Sequence, residues 1–194
     1  MVLKNLAKYD IILASASPRR HELMHQLGID FKVVVRPVKE DYPAGMKGGD
    51  IAMHLSAIKA GAFEKAFFSP HTMIITADTI VCLEGTVLGK PDLREDAINA
   101  LKQLSGKMHQ VITGVHIRTL EKEVNFAVST DVYFKQLREE EILHYVDHFK
   151  PYDKAGSYGI QEWIGYIGIE KIDGSFYNVM GLPVLKLYEE LRKF

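Results

Sequence analysis

Asp10-Ile11-Ile12-Leu13-Ala14-Ser15-Ala16-Ser17-Pro18-Arg19-Arg20 is the stretch on which the architecture turns. Asp10 to Ala14 is a short apolar run and reads as a buried strand. Ser17 is a good N-cap and Pro18 suits the first helical position, so a helix is expected from Pro18 to Leu27, stopped by Gly28. Strand and helix meet within a few residues. The junction carries two arginines in the first helical turn, where the helix already has its positive end.

Working outward, Phe31–Val35 reads as a second strand, and the Pro- and Gly-rich segment 36–49 as loop. Asp50 is placed to cap a helix running to Ala66, with Ile51, Leu55, Ile58 and Ala62 on one face. Met73–Ala77 is a buried strand. Ile80–Leu83 and Thr86–Leu88 flank Glu84-Gly85 as a hairpin. A helix from Asp92, with Glu95 placed for a capping box, ends near Gly106. Gln110–Arg118 and the alternating Val124–Phe134 form two long strands, followed by a helix over Glu139–Phe149. Asp153–Gly165 is a glycine-rich loop, Ile167–Ile172 a strand, Asp173-Gly174 a turn, and Pro183 begins a last helix. Helices mixed with both parallel-compatible and hairpin-linked strands give an α/β fold with a mixed sheet.

The 194 residues suffice for one substantial core or two small lobes, and we read 1–194 as a single domain. Hydrophobic residues at 47% and charged residues at 25% describe a folded chain. A net charge of −1 argues against nonspecific nucleic-acid binding, which draws its affinity from a basic excess. Cys82 is the only cysteine, so no internal disulfide and no cysteine zinc site can form. Neither a signal peptide nor an apolar window long enough for a membrane helix is visible, and a cytoplasmic location is expected.

Several short constellations could carry chemistry. In Ser15-Ala16-Ser17-Pro18-Arg19-Arg20, the arginines either bind an anion at the helix start or are solvated or paired to a carboxylate elsewhere. No Walker-type glycine loop is present; Ser105-Gly106-Lys107 lacks its flanking residues. Asp78, in Ala77-Asp78-Thr79, would stand at the carboxyl end of a buried strand, as a base, a metal ligand or a turn cap. Lys59 borders the apolar face of its helix, either snorkelling at the core's rim or reaching a cleft. Lys90, in Leu88-Gly89-Lys90-Pro91, is held extended by Pro91 and either meets phosphate or lies in solvent. Glu40-Asp41 offers hard oxygen ligands suited to Mg²⁺ or Mn²⁺, or is simply a solvated acidic loop. In the segment Asp153 to Gln161, Gly156 and Gly159 permit close backbone approach. Gln161 carries both a donor and an acceptor, as a uracil or thymine edge requires. The histidines show no metal spacing, and Ser15 and Ser17 have no Ser–His–Asp context.

Together these pieces resemble the Maf family of nucleotide pyrophosphatases. The resemblance runs from Leu13 to Pro183. It rests on Ser15-x-Ser17-Pro18-Arg19-Arg20, Glu40, Lys59-Ala60, Ala77-Asp78-Thr79, Leu88-Gly89-Lys90-Pro91, Thr113-Gly114 and Asp153-Lys154-Ala155-Gly156. It continues through Gly174-Ser175-Phe176-x-Asn178-Val179-x-Gly181-Leu182-Pro183. No single piece is specific, but their order and combination are. The resemblance implies a curved mixed sheet flanked by helices, with two lobes and a central cleft, akin to inosine triphosphatase. It also implies a homodimer. The activity implied is hydrolysis of a nucleoside triphosphate between the α- and β-phosphates with a divalent metal, Mg²⁺ or Mn²⁺.

Tyr158-Gly159-Ile160-Gln161, with Arg20 and Thr79, is similar to the subgroup that prefers dTTP and UTP. A second subgroup prefers methylated guanine nucleotides, and a non-catalytic role in regulating cell division is also linked to the family. The implied roles place Ser15, Ser17, Arg19, Arg20, Lys59 and Lys90 on the triphosphate, and Glu40 and Asp78 on the metal. Asp78 would also be the base, while Thr79 and Gln161, with Arg20, would read the pyrimidine. Lys39 stands where the family often has an acidic residue, which leaves Glu40 and Asp41 as alternatives for the functional carboxylate.

Overall fold

In the computed structural model, which describes residues 3–194, the opening strand β1 (Asp10–Leu13) leads through an extended turn into helix α1 (Pro18–Gln26). Leu13 and Ala14 are buried, and the chain after α1 turns at Gly28 into the short strand β2 (Lys32–Val33). Only two residues of the expected Phe31–Val35 strand pair with a neighbour; Ile12 lies beside Lys32 and Leu13 beside Val33, in parallel. Helix α2 (Gly49–Gly61) connects to β3 (Thr72–Leu83), which also runs parallel to β1. The two crossovers through α1 and α2 are what parallel neighbours require.

The remaining elements are β4 (Thr86–Leu88), α3 (Arg94–Leu104), β5 (Met108–Arg118), β6 (Glu123–Phe134) and α4 (Glu139–Phe149). They are followed by α5 (Trp163–Gly168), β7 (Ile169–Asp173), α6 (Phe176–Met180) and α7 (Val184–Leu191). The sheet order is β2-β1-β3-β5-β6-β7, with β4 paired to β3. β4 is antiparallel to β3, and β7 is antiparallel to β6, so the sheet is mixed, as expected. The hairpin between β3 and β4 turns at Glu84 and Gly85, both with positive φ, the backbone a tight hairpin of this hand needs.

The chain divides into two compact units. The first comprises Met1–Asp78, Thr113–Val128 and Gly181–Phe194; the second comprises Thr79–Ile112 and Ser129–Met180. In the first, Ile12, Ala14, Phe63 and Ile74 form a core cluster. In the second, Leu101, Leu104, Val132, Phe134, Tyr145 and Ile164 are among the side chains of a larger core.

Four expectations need correction. Asp78 is not at the end of a strand: β3 continues unbroken from Thr72 to Leu83, with Asp78 in its middle. A buried carboxylate tolerates that position because a lysine meets it there, as described below. Helix α2 begins after Gly48 rather than at an Asp50 cap, and stops at Gly61 rather than Ala66. Its last carbonyls are taken by arginines from elsewhere: Arg36 donates to Ala62 O, and Arg118 donates to Ala60 O and Phe63 O. Helix α3 starts at Arg94, and Asp96 rather than Glu95 receives the Leu93 N–H. Finally, the Asp153–Gly165 loop contains a single helical turn at Ala155–Ser157 and gives way to α5 at Trp163.

Candidate active site

The turn between β1 and α1 is built around Ser15. Its buried Oγ accepts from the Ser17 N–H at 3.3 Å and from Arg20 Nη1 at 3.2 Å. Ser17 occupies the N-cap position, but its hydroxyl makes no capping bond to the helix. The helix start keeps the positive end of its dipole. Arg20 folds back over this turn. Its Nε donates to Gly181 O at 2.8 Å and its Nη1 donates to Ala77 O at 2.8 Å. Burial lowers the Arg20 pKa, the neighbouring Asp78 raises it, Arg19 lowers it and Glu40 raises it. Those influences place Arg20 in the field of both carboxylates.

Asp78 is buried, and its Oδ1 accepts a hydrogen bond from Lys59 Nζ. The same ammonium lies 2.9 Å from Glu40 Oε1. One lysine from α2 thus holds a carboxylate from β3 and a carboxylate from the loop after β2. Lys59 itself is only 17% exposed, so it reaches inward instead of lying in solvent. Asp41 behaves differently: its carboxylate pairs with Lys39, and both side chains are largely exposed. Of the two adjacent acids, Glu40 is the one that shares a cation with Asp78.

Two further placements complete this part. Thr76, one turn of the pleat before Asp78, donates its hydroxyl to Ser56 O at 2.7 Å and fixes β3 to α2. Gly114 on β5 lies so close to α2 that a Cβ there would stand 2.1 Å from Ala52 O. The helix that carries Lys59 is therefore seated directly on backbone.

In the second unit, Lys90 is exposed, and its neighbour Gly89 accepts from the Gly156 N–H at 3.1 Å. That bond ties the Leu88–Pro91 segment to the glycine segment that leads to Gln161. Thr79 is partly buried on β3. The Gln161 Oε1 is buried and, among the described residues, has no hydrogen-bond partner. Sequence reasoning assigned no part to Tyr145, Lys154 and Glu162. Tyr145 donates to the Glu162 carboxylate and Lys154 pairs with it, contacts made by a loop folding back onto α4, which no local pattern signals.

A divalent metal fits the donor set in outline. Glu40 and Asp78 are hard oxygen donors close enough to share one cation, Lys59 Nζ. Among the described residues, no group of three or more His, Cys, Asp and Glu side chains is arranged to hold a metal. That combination matches an ion held by one or two carboxylates and completed by substrate phosphates and water.

Fold and site define a mixed α/β protein with a lysine-bridged carboxylate pair beside an arginine-bearing helix start. The profile of the Maf family, described as "Maf-like protein", matches residues 10–194, and the chain belongs to that family. A protein of Bacteroides thetaiotaomicron named dTTP/UTP pyrophosphatase is 55% identical over 193 residues, covering 99% of this chain and 100% of the relative. Proteins of the same name from Parabacteroides distasonis and Porphyromonas gingivalis are similar. The first is 53% identical over 194 residues, with both chains fully covered. The second is 51% identical over 195 residues, covering 100% of this chain and 98% of the relative.

Proposed function

We propose that this chain is a nucleoside triphosphate pyrophosphatase that hydrolyses dTTP and UTP to the monophosphate and pyrophosphate. The observation that carries the reading is the cluster in which Lys59 bridges buried Asp78 and Glu40, with Arg20 in the same field. The names of the relatives support the choice of substrate.

In this reading Asp78 accepts the proton of a water whose oxygen attacks the α-phosphorus. The bond from that phosphorus to the bridging oxygen breaks, and pyrophosphate leaves with the bridging oxygen. Lys59, Lys90 and Arg19 bind triphosphate oxygens and offset the charge that develops on the leaving group. Ser15, Ser17 and the positive start of α1 cradle phosphate. Arg20 holds this cradle to β3 through Ala77 and presents its remaining charge to the substrate. Glu40 and Asp78 are the residues that would hold Mg²⁺ or Mn²⁺. When bound, that ion would neutralise phosphate charge and make water easier to deprotonate. Thr79 and Gln161 read the pyrimidine, the orphaned Oε1 of Gln161 accepting from the ring N–H.

The proposal extends to one functional domain over 1–194, acting as a homodimer in the cytoplasm without binding nucleic acid. Among the described residues, no helix is long and apolar enough to cross a membrane. A net charge of −1 supports the exclusion of nucleic acid. Light scattering of the purified protein tests the dimer.

The decisive experiment measures pyrophosphate release from a panel of dTTP, UTP, CTP, purine triphosphates and methylated GTP. Asp78→Asn is expected to lower turnover on dTTP roughly 10²- to 10⁴-fold, the usual contribution of a general base, with the circular dichroism spectrum retained. Near-normal turnover in that variant rules out its role as the base. Preference for methylated GTP overturns the substrate assignment.

A further inference from the structure

The segment Gly159-Ile160-Gln161-Glu162 is a tight turn closed by the Glu162 N–H donating to Gly159 O at 3.0 Å. Both ends of this turn are tied to one hydroxyl. The fully buried Tyr145, on α4, accepts from the Gly159 N–H at 3.0 Å and donates to the Glu162 carboxylate. The other oxygen of that carboxylate, Oε1, lies 3.0 Å from Lys154 Nζ, and Lys154 also pairs with Asp153 at 2.7 Å. Lys154 is 9% exposed and Glu162 is 21% exposed, so this ion pair is largely withdrawn from solvent. The next helix is locked to the same turn: the Gly165 N–H donates to Glu162 O, and a Cβ at Gly165 would stand 1.9 Å from Ile160 O. Burial, with the Glu162 carboxylate beside it, raises the Tyr145 pKa strongly, so the hydroxyl keeps the proton it donates.

Gln161 is the third residue of this turn, and its buried amide oxygen has no hydrogen-bond partner among the described residues. A side chain with several rotamers reads a base edge only if its backbone is held in one place, because a loosened reader also accepts the wrong edge. We propose that Tyr145, Glu162 and Lys154 form a positioning network that sets pyrimidine selectivity by fixing the turn that carries Gln161. None of the three needs to touch substrate. The inference rests on the base-reading role proposed for Gln161.

The test is a double-mutant cycle on selectivity, read as the ratio of kcat/KM for dTTP to that for dATP. Tyr145→Phe keeps the ring in the core and removes only the hydroxyl. It is expected to lower the ratio about tenfold or more, the scale of a lost buried hydrogen bond that orients a specificity group. Gln161→Ala is expected to lower the ratio at least as far. In the Gln161→Ala background, Tyr145→Phe should change the ratio no further. Additive losses in the double variant would show that Tyr145 acts by some route other than Gln161, and would overturn the network's role. A collapse of selectivity in Gln161→Ala with an unchanged ratio in Tyr145→Phe overturns the inference while leaving the base reading intact. An unchanged ratio in Gln161→Ala removes the base reading and the inference with it.

Should Tyr145→Phe fail to fold, Glu162 decides. Glu162→Gln keeps an acceptor for the tyrosine and should retain the selectivity that Glu162→Ala loses. Equal behaviour of the two overturns the proposal. Amide exchange across Ile160–Glu162 reports the turn independently of any nucleotide. It should quicken in Tyr145→Phe and Glu162→Ala, and unchanged exchange counts against the network.

Discussion

Arg19 and Arg20 are adjacent and chemically identical, and apart from the family resemblance the local sequence does not separate them. The structure does, because Arg20 commits its Nε and Nη1 to Gly181 O, Ala77 O and Ser15 Oγ. A lysine cannot reproduce that fork. Arg20→Lys is expected to cost about 1–3 kcal/mol of stability by leaving carbonyls unsatisfied, seen as a lower urea midpoint at unchanged slope. An unaltered midpoint would mean these bonds carry no weight. Lys59 and Asp78 show the complementary limit of reading locally. Each was one residue among several chemically plausible ones, and only the tertiary pairing of α2 with β3 joins them. Removing the ammonium with Lys59→Met should raise KM for the triphosphate roughly tenfold or more, the scale of one charge-assisted hydrogen bond. A KM within twofold of the parent would take Lys59 off the phosphates.

At the scale of elements, α4 over Glu139–Phe149 and the long strands β5 and β6 were legible because their hydrophobic periods are long and unbroken. β3 was misread as two pieces because Asp78-Thr79 looks like a polar break. It is one strand, since the charge is met by Lys59 and the Thr76 hydroxyl by Ser56 O. The end of α2 was misread for a related reason: side chains remote in sequence, Arg36 and Arg118, donate to the carbonyls at and just beyond it. Gly114 carried a clear signal as part of a family motif, but its physical reason appears only in the packing. There is no room for a methyl group between β5 and the backbone of α2 at Ala52 and Met53. Gly114→Ala is expected to destabilise the protein by about 3 kcal/mol, at the upper end of overpacking costs, because the obstacle is backbone that cannot change rotamer. Urea unfolding measures this, and a loss below about 0.5 kcal/mol would mean that α2 shifts freely.

For the whole molecule, the α/β class and the mixed sheet followed from the succession of short apolar runs, capped helices and hairpin turns. The candidate site followed only from the order of its motifs along the chain. What no sequence pattern revealed is how buried polar groups are balanced, and that balance sets the response to acid. His109 is 1% exposed, with Nε2 on the Tyr158 hydroxyl at 2.7 Å and Nδ1 without a partner among the described residues. Burial pushes its pKa down to about 4. The unfolded chain therefore binds this proton near pH 6.5, well before the folded one does, and stability falls as pH drops from 6.5 to 4. For His109 alone the loss amounts to about 3 kcal/mol by pH 4. Burial also lowers the pKa of His116, which adds in the same direction. Glu141 acts at lower pH. Its carboxylate accepts the Arg138 N–H at the start of α4 and pairs with Lys135, which brings its pKa down to about 2. That stabilisation is complete above pH 4.5 and is lost as pH falls from 4.5 to 2. Urea midpoints should therefore decline in two stages on acidification, and His109→Gln should flatten the first stage while leaving the second. A first stage that persists in His109→Gln would assign the acid sensitivity to other groups.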